Sequence, residues 1–367
     1  MTTAAHEHNA PGAAERAAAP HVLGQTQAAL ELWAVTQGAT REAAKVLART
    51  LLNESADRAP KPGDATPAKK LLAAAHAHFA RALPAFEAVV DPDGTVRFAV
   101  ALDDGAIIET VLIHQGQSEQ RVRERLTICV SSQVGCARGC TFCETGRTGL
   151  KRNLQAHEIV AQVVLARRAA ASQGLPAPQN VVFMGMGEPL DNLDEVLLAI
   201  DVLKEHHGLA IPERRITVST VGIVPKLPEL YARTKANLAL SLHALEPAVR
   251  KALLPVAKKW SVETLREALA RAPRPVLLQW TLIAGHNDAD ADADRLLEFA
   301  RGLDVRVNLI PLNPGPDASQ HAPAAERCRA FQKRLLDGGL RTMLRLPHGQ
   351  TVGGACGQLA GARRAGR

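Results

Sequence analysis

The sequence predicts an α/β protein: a partial barrel of six strand–helix units, preceded by a small helical module and an antiparallel β-hairpin lead-in. Three observations predict it. Before residue 85 the apolar residues recur only at helical spacing. Turn signals at Asp91–Gly94 and Asp103–Gly105 then separate strand-like runs. From Leu126 onward, apolar strands alternate with longer helical patterns, an order that implies a parallel sheet with right-handed crossovers.

The same patterns divide the chain into four segments. Residues 1–20 predict a disordered tail, and residues 21–85 predict the helical accessory module, whose last helix is expected over Lys69–Leu83. Residues 86–125 form the β lead-in. Residues 126–360 form the barrel and end in a glycine-rich loop. Six units are fewer than the eight that close a barrel.

Composition limits the classes of function. Hydrophobic residues make up 46% of the chain and charged residues 22%, as in a globular protein with a core. The net charge of +7 indicates either a polyanionic partner or general basicity. No apolar run approaches the roughly 20 residues that span a bilayer, and the N-terminus has no apolar signal segment. We therefore expect a cytoplasmic protein without a membrane partner.

Four of the six cysteines lie between Cys129 and Cys143. Cys136, Cys140 and Cys143 form a Cys-x₃-Cys-x₂-Cys triplet, with Phe142 before the last of them. Three thiolates bind three irons of a cubane and leave the fourth iron open to a ligand. A zinc knuckle needs four ligands in paired spacings, and disulfide frameworks need denser cysteines. The triplet resembles the radical SAM superfamily, which implies one [4Fe–4S] cluster with S-adenosylmethionine (SAM) on its open iron.

Polar residues follow the later strands at their carboxyl ends, where active sites of β/α barrels lie. The four segments concerned are Gly185–Pro189, Ser219–Gly222, Ser241–His243 and Pro311–Pro314. One such segment alone is often only a cap or a turn. Four of them, following a cluster motif on the first strand, predict a binding site. Glycines there let the backbone approach a ligand closely.

Two residues outside these segments are also candidates. Cys356 lies in the glycine-rich loop Gly349–Leu359, where no apolar pattern predicts a core around it. Glu109 lies among the apolar residues of the strand Ile107–Ile113. It lies either on the protein surface or in a site, and the pattern does not distinguish these.

Four motifs together resemble the RlmN/Cfr-type radical SAM RNA adenine methyltransferases: Ser131–Cys136, Phe183–Pro189, Ser241–His243 and Ala355–Leu359. The likeness extends over about residues 91–360. It implies a partial (βα)6 radical SAM barrel that methylates an adenine ring carbon, C2 or C8, of ribosomal RNA and, in some members, of transfer RNA. The motifs do not decide between the two carbons.

The resemblance also implies the roles of the thiols. An adenine C2 or C8 carbon is not a nucleophile, so it cannot take a methyl group from SAM directly. Cys356 would first become S-methylcysteine at the expense of one SAM. A second SAM would give a deoxyadenosyl radical that abstracts hydrogen from this methyl group. After the carbon adds to the base, Cys129 would help to remove the ring proton. The methylated base would then be released from the protein as a Cys129–Cys356 disulfide forms.

Further positions match the family. Glu109 matches its candidate proton acceptor. The matches to SAM-contacting positions are Gly187, Glu188, Ser219, Ser241, Leu242, His243 and Asn313. The implied partners are an RNA whose base leaves its stack and a one-electron reductant such as a flavodoxin or ferredoxin. Two alternatives remain open: a radical SAM enzyme with a non-RNA substrate, and a non-catalytic RNA-binding paralogue. The basic residues of the helical module face either RNA or solvent.

Overall fold

The computed structural model describes residues 19–58, 63–115, 125–315, 317, 319–345 and 347–360. Its strands are β1 (Ala85–Val90), β2 (Val96–Ala101), β3 (Ile107–Gln115), β4 (Arg125–Cys129), β5 (Gln133–Cys136), β6 (Gly149–Asn153), β7 (Asn180–Phe183), β8 (Ile216–Thr220), β9 (Asn237–Ser241), β10 (Val276–Leu282), β11 (Val305–Pro311) and β12 (Thr342–Leu344).

Helices connect these strands. They are α1 (Gln27–Thr36), α2 (Arg41–Ser55), α3 (Lys69–His78), α4 (Glu144–Thr148), α5 (Ala156–Ser172), α6 (Leu193–Lys204), α7 (Leu227–Arg233), α8 (Pro247–Leu253), α9 (Val262–Ala270), α10 (Asp290–Ala300) and α11 (Ala325–Asp337). Short 3₁₀ turns cover Val22–Gly24, Pro189–Asn192, Glu213–Arg215, Val224–Lys226 and Pro255–Lys258. In the described part of the chain, no helix is long and apolar enough to span a membrane.

The main sheet is mostly parallel. Strands β4, β7, β8, β9, β10, β11 and β12 are neighbours in this order, and each adjacent pair is parallel. The sequence predicts six of these strands and misses β12, whose three residues are too few for an alternation to be recognised. Strand β10 is buried along almost its whole length, as expected for a parallel strand covered on both faces.

The lead-in extends the same sheet. Strands β1, β2 and β3 are antiparallel, and β3 pairs antiparallel with β4. This pairing places Val111 of β3 opposite Cys129, the last residue of β4. A small hairpin of β5 and β6, which the sequence does not predict, lies outside the main sheet. The lead-in therefore pairs with the end of β4 that carries Cys129.

The N-terminal module contains three helices, and the third begins at Lys69, where the sequence predicts it. The hydroxyls of Thr26 and Thr40 cap α1 and α2 by accepting the N–H groups three residues later. The prediction that α3 extends to Leu83 is wrong. The helix ends at His78 because Ala80 instead donates its N–H to the carbonyl of Pro20 at 3.0 Å. Of the predicted tail, residues 1–18 lie outside the described residues.

Candidate active site

A cavity lies at the carboxyl ends of the parallel strands, as predicted. Ten of the thirteen predicted site residues line it: Cys136, Cys140, Cys143, Gly187, Glu188, Ser219, Ser241, His243, Asn313 and Cys356. The other three, Glu109, Cys129 and Leu242, are buried behind its wall. Leu242 is placed there by its backbone, because its N–H donates to the carbonyl of Gln279 at 3.0 Å.

The three clustered cysteines are held by tight backbone turns. Cys136 ends β5, and the preceding Gly135 has φ +79°. A Cβ on Gly135 would lie 1.8 Å from the carbonyl oxygen of Gly149, so only glycine fits this close strand pairing. Cys143 donates its N–H to the carbonyl of Cys140 at 3.2 Å. The turns therefore bring three thiols to one part of the cavity wall.

The donor set fits a [4Fe–4S] cluster held by three ligands. All three thiols are free, and burial raises the pKa of each, to about 12 for Cys136. Deprotonating these thiols without a bound cation is therefore unfavourable in free energy, and a bound cation would stabilise the thiolates. Among the described residues, no three His, Cys, Asp or Glu side chains surround a single metal position. A cubane does not need such a group, because each thiolate binds its own iron.

Glu188 is a buried carboxylate that follows β7. It accepts the N–H of Val221 at 2.9 Å and the N–H of Leu190 at 3.1 Å. The preceding Gly187 has φ +102°, and a Cβ there would lie 2.6 Å from the Cβ of Gln133. Burial raises the pKa of Glu188 to about 7. Glu188 is thus suited to bind an ammonium group, which would favour its charged form.

We expect Glu188→Gln to remove a pH dependence of stability. The folded protein holds the Glu188 proton more tightly than an unfolded chain, whose pKa is near 4.5. The stability that this proton contributes is therefore complete below pH 4.5 and is lost as the pH rises through about 7. The free energy of unfolding of wild type relative to the variant should fall by about 3 kcal/mol between pH 4.5 and 8. Urea unfolding of the metal-free proteins measures it, and a constant difference would contradict the shift.

Two serines and a glutamine form the next part of the wall. The hydroxyls of Ser219 and Ser241 lie 3.3 and 3.4 Å from Oε1 of Gln279, and 3.5 Å from each other. The Nε2 of Gln279 donates to the Met184 sulfur at 3.3 Å. The sequence analysis did not single out Gln279, although a polar residue within the apolar strand Val276–Leu282 was a visible signal.

His243 is a neutral hydrogen-bond donor in this wall. Its Nδ1 accepts the N–H of Thr281 at 2.9 Å, which leaves the proton of the neutral ring on Nε2. Burial lowers the pKa of His243 to about 3. Its backbone has φ +56°, and Asn287 holds its carbonyl by donating from Nδ2 at 2.6 Å. The rings of His243 and Phe142, which lies in the cluster loop, pack edge to face with their centroids 5.0 Å apart.

Cys356 lines the cavity, whereas Cys129 is buried and does not line it. The accessible surface of Cys356 faces the cavity, yet the surrounding protein still raises the pKa of its thiol by desolvation. Burial also raises the pKa of Cys129, and the charge of Cys356 raises it further. The two thiols are therefore within electrostatic reach of each other. All six cysteines are free, so no disulfide joins this pair in the structure.

The C-terminal loop, residues 347–360, is fastened to the turn between β1 and β2. Asp91 accepts the N–H and the hydroxyl of Thr351 at 3.0 and 2.6 Å. Asp93 accepts the N–H of Gly349 at 3.0 Å. The lead-in, which the sequence treats as a separate segment, thus holds the loop that carries Cys356.

The same loop is also fastened to the cavity wall. Asn313 donates from Nδ2 to the carbonyl of Cys356 at 3.1 Å. Glu144, directly after Cys143, donates its N–H to the carbonyl of Gly357 at 2.8 Å. The cluster loop and the C-terminal loop are therefore joined by backbone, which fixes Cys356 beside the three clustered cysteines.

Glu109 holds the end of this loop rather than lining the cavity. Its Oε1 accepts from Arg97 Nη1 at 2.5 Å, and its Oε2 accepts the N–H of Ala360 at 2.5 Å. Arg97 also donates from Nε to the carbonyl of Val352 at 2.6 Å. The sequence did not identify Arg97, because only the tertiary structure brings it to the loop.

Comparisons with known proteins agree with this site. Residues 130–297 match the radical SAM superfamily. The probable RNA methyltransferase sce1580 of Sorangium cellulosum is 49% identical over 275 residues, which cover 74% of this chain and 67% of that protein. The dual-specificity RNA methyltransferase RlmN of Syntrophobacter fumaroxidans is 44% identical over 271 residues, covering 73% of this chain and 77% of that protein.

A solved structure extends the agreement to the fold. The crystal structure of a radical SAM methyltransferase from Sphaerobacter thermophilus superposes with a TM-score of 0.82 at 36% identity. The match covers 93% of this chain and 99% of that one. Radical SAM membership implies a [4Fe–4S] cluster and SAM. The chain belongs to the RlmN-type family of radical SAM RNA methyltransferases.

Proposed function

We propose that this protein methylates a ring carbon of an adenine in ribosomal RNA, transfer RNA or both, through S-methylated Cys356. One observation carries the proposal: Cys356, in the C-terminal loop, lies in the same cavity wall as Cys136, Cys140 and Cys143, and its charge acts on the buried Cys129. A radical SAM enzyme with a small-molecule substrate has no need of this second pair of thiols.

Cys136, Cys140 and Cys143 would hold the cluster. The wall residues that match SAM-contacting positions would hold SAM, with Glu188 taking its ammonium group. The bound cluster and SAM supply a deoxyadenosyl radical, which is the hard chemistry of the reaction. The protein contributes binding, orientation and two thiols. Ser219, Ser241, His243 and Asn313, which line the cavity, would orient the cofactor by hydrogen bonds.

The two thiols act in sequence. Cys356 Sγ would attack the methyl carbon of SAM, so that a carbon–sulfur bond to Cys356 forms, S-adenosylhomocysteine leaves and the thiol proton passes to solvent. Its raised pKa means that the thiolate is scarce at neutral pH, so the nearby charge of Arg345, which lowers that pKa, favours the reaction. Once the methyl carbon is joined to the base, Cys129 Sγ attacks the sulfur of Cys356. A transient disulfide would form as the carbon–sulfur bond breaks; the bonding electron pair stays with the product carbon, which takes up a proton and becomes the methyl group. A thiol reductant then restores both cysteines.

Several finer points belong to the same proposal. We infer that the seven parallel strands curve into a partial barrel, because residues after β7, β8, β9 and β11 line one cavity. Glu109 is the candidate proton acceptor, but either Arg97 or the Ala360 N–H must release its carboxylate first. The four segment boundaries, the cytoplasmic location and the flavodoxin- or ferredoxin-type reductant stay predictions of the sequence.

Anaerobic reconstitution tests the proposed function. The protein with iron, sulfide, SAM, a reductant and ribosomal or transfer RNA should yield methylated adenine and 5′-deoxyadenosine. Mass spectrometry of the protein should show methyl-Cys356. Deoxyadenosine without RNA methylation or methyl-Cys356 would indicate another substrate class. Neither product, from protein that retains its cluster, would indicate a non-catalytic RNA-binding paralogue. Mapping methylated adenosines in cells with and without the gene then identifies the target and decides between C2 and C8.

A further inference from the structure

Arg250 is a buried cation without a carboxylate partner. Its side chain, on α8, is only 1% exposed. Its Nη1 donates to the carbonyl of Leu242, while its Nε makes no hydrogen bond to any described residue. No carboxylate within the described part of the chain forms an ion pair with it. A buried charge left unpaired destabilises the folded protein, so a nearby anion would stabilise Arg250 at this position.

The position of α8 indicates where that anion lies. Leu253, three residues after Arg250 and thus on the same face of the helix, accepts the N–H of Thr141 at 3.1 Å. Thr141 lies between Cys140 and Cys143, so this face of α8 packs against the cluster loop. The negative charge of Cys140 also acts on Arg250. Burial lowers the pKa of the guanidinium to about 10, which keeps it protonated at neutral pH.

We propose that Arg250 is the counter-charge of the iron–sulfur cluster and raises its reduction potential. The inference rests on the cluster that the proposed function assigns to Cys136, Cys140 and Cys143. Three thiolates outweigh the charge of the cubane core, and reduction adds one more negative charge. A fixed cation with an unused N–H, on the helix that contacts the cluster loop, stabilises the more negative state, as surrounding charges and hydrogen bonds do in other clusters. Arg250 thereby makes the site easier to reduce with one electron.

Redox titration of the reconstituted cluster, followed by its electron paramagnetic resonance signal, tests this role without using turnover. Arg250→Gln keeps a polar N–H donor but has no charge, so its midpoint potential should be lower than that of wild type. Arg250→Lys keeps a charge and loses the Nε–H, so its potential should lie between the two. Arg167→Met is the matched control, since Arg167 is also desolvated and donates to one carbonyl, that of Pro178. Its potential should equal that of wild type.

The results separate this inference from the proposed function. Arg250→Gln with full iron content and the wild-type potential would overturn the inference, because a merely structural arginine would leave the potential unmoved. If that variant does not fold, Arg250→Lys decides: a loaded cluster with the wild-type potential would overturn it equally. A wild-type protein that binds no iron after reconstitution would instead contradict the cluster that the proposed function assigns to the three cysteines.

Discussion

Replacing Cys356 by alanine is expected to lower RNA methylation by at least about a thousandfold, since an enzyme that loses its covalent nucleophile loses that much or more. The adenine carbon cannot take the methyl group without a sulfur carrier. The iron content should not change, because Cys136, Cys140 and Cys143 bind the cluster without Cys356. Mass spectrometry of digested RNA and iron analysis of the same preparation measure both quantities.

Two other cysteine variants sharpen this test. Cys328→Ala is the matched control, because Cys328 is buried in α11 outside the cavity, and its methylation rate should remain near that of wild type. Cys129→Ala should still form methyl-Cys356 but fail to release product, so protein joined covalently to RNA should accumulate on denaturing gels. RNA methylation by Cys356→Ala at the wild-type rate would contradict the two-thiol mechanism.

The strand ends were predictable because a parallel sheet puts its carboxyl ends on one edge. Once the order of strands and helices is recognised, residues as distant in sequence as Glu188 and Asn313 must meet there. The three cluster cysteines needed only their own spacing. For these residues, the local sequence determines where each one lies on its strand or loop, and the order of the strands in the sheet brings them together.

The supporting residues were not predictable for a complementary reason. Arg97 and Arg250 do not stand out in the sequence, because a surface arginine and a buried one look the same until their surroundings are known. Gln279 gave a visible signal, a polar side chain in a buried strand, but its two serine partners come from other strands. The early end of α3 likewise depends on a bond to Pro20, which no helical pattern within Lys69–Leu83 contains.

The structure gives Glu109 a second possible role besides the one that its motif implies. As a matched motif position it is a candidate proton acceptor. In the structure, both of its carboxylate oxygens are hydrogen-bonded, and its side chain is 1% exposed beside the 14% exposed side chain of Arg97. Replacing a residue that anchors the Cys356 loop should slow every reaction step that uses Cys356. Replacing a proton acceptor should slow only the loss of the ring proton, after the carbon has joined the base. These two roles can be separated experimentally.

We expect Arg97→Met to lower the free energy of unfolding by about 3–5 kcal/mol, because it removes the cation of Arg97 from the buried carboxylate of Glu109. Glu109→Gln should cost less, since Arg97 is partly exposed and water can solvate it. The double variant should be more stable than Arg97→Met alone, because glutamine at position 109 carries no buried charge that the lost Arg97 would have to offset. Urea unfolding of the metal-free proteins measures all three. A double variant no more stable than Arg97→Met would contradict the pairing.

The same variants then assign the role of Glu109. Because the pair fastens both Val352 and Ala360, Arg97→Met should slow the formation of methyl-Cys356, which is measured on the protein before any RNA is added. If Glu109 accepts the ring proton, Glu109→Gln should form methyl-Cys356 at the wild-type rate and stall only after RNA is added, with a covalent protein–RNA adduct. If Glu109 only anchors the loop, Glu109→Gln should slow the first methyl transfer as Arg97→Met does, and no adduct should accumulate. The point at which the reaction stalls therefore distinguishes a proton acceptor from an anchor.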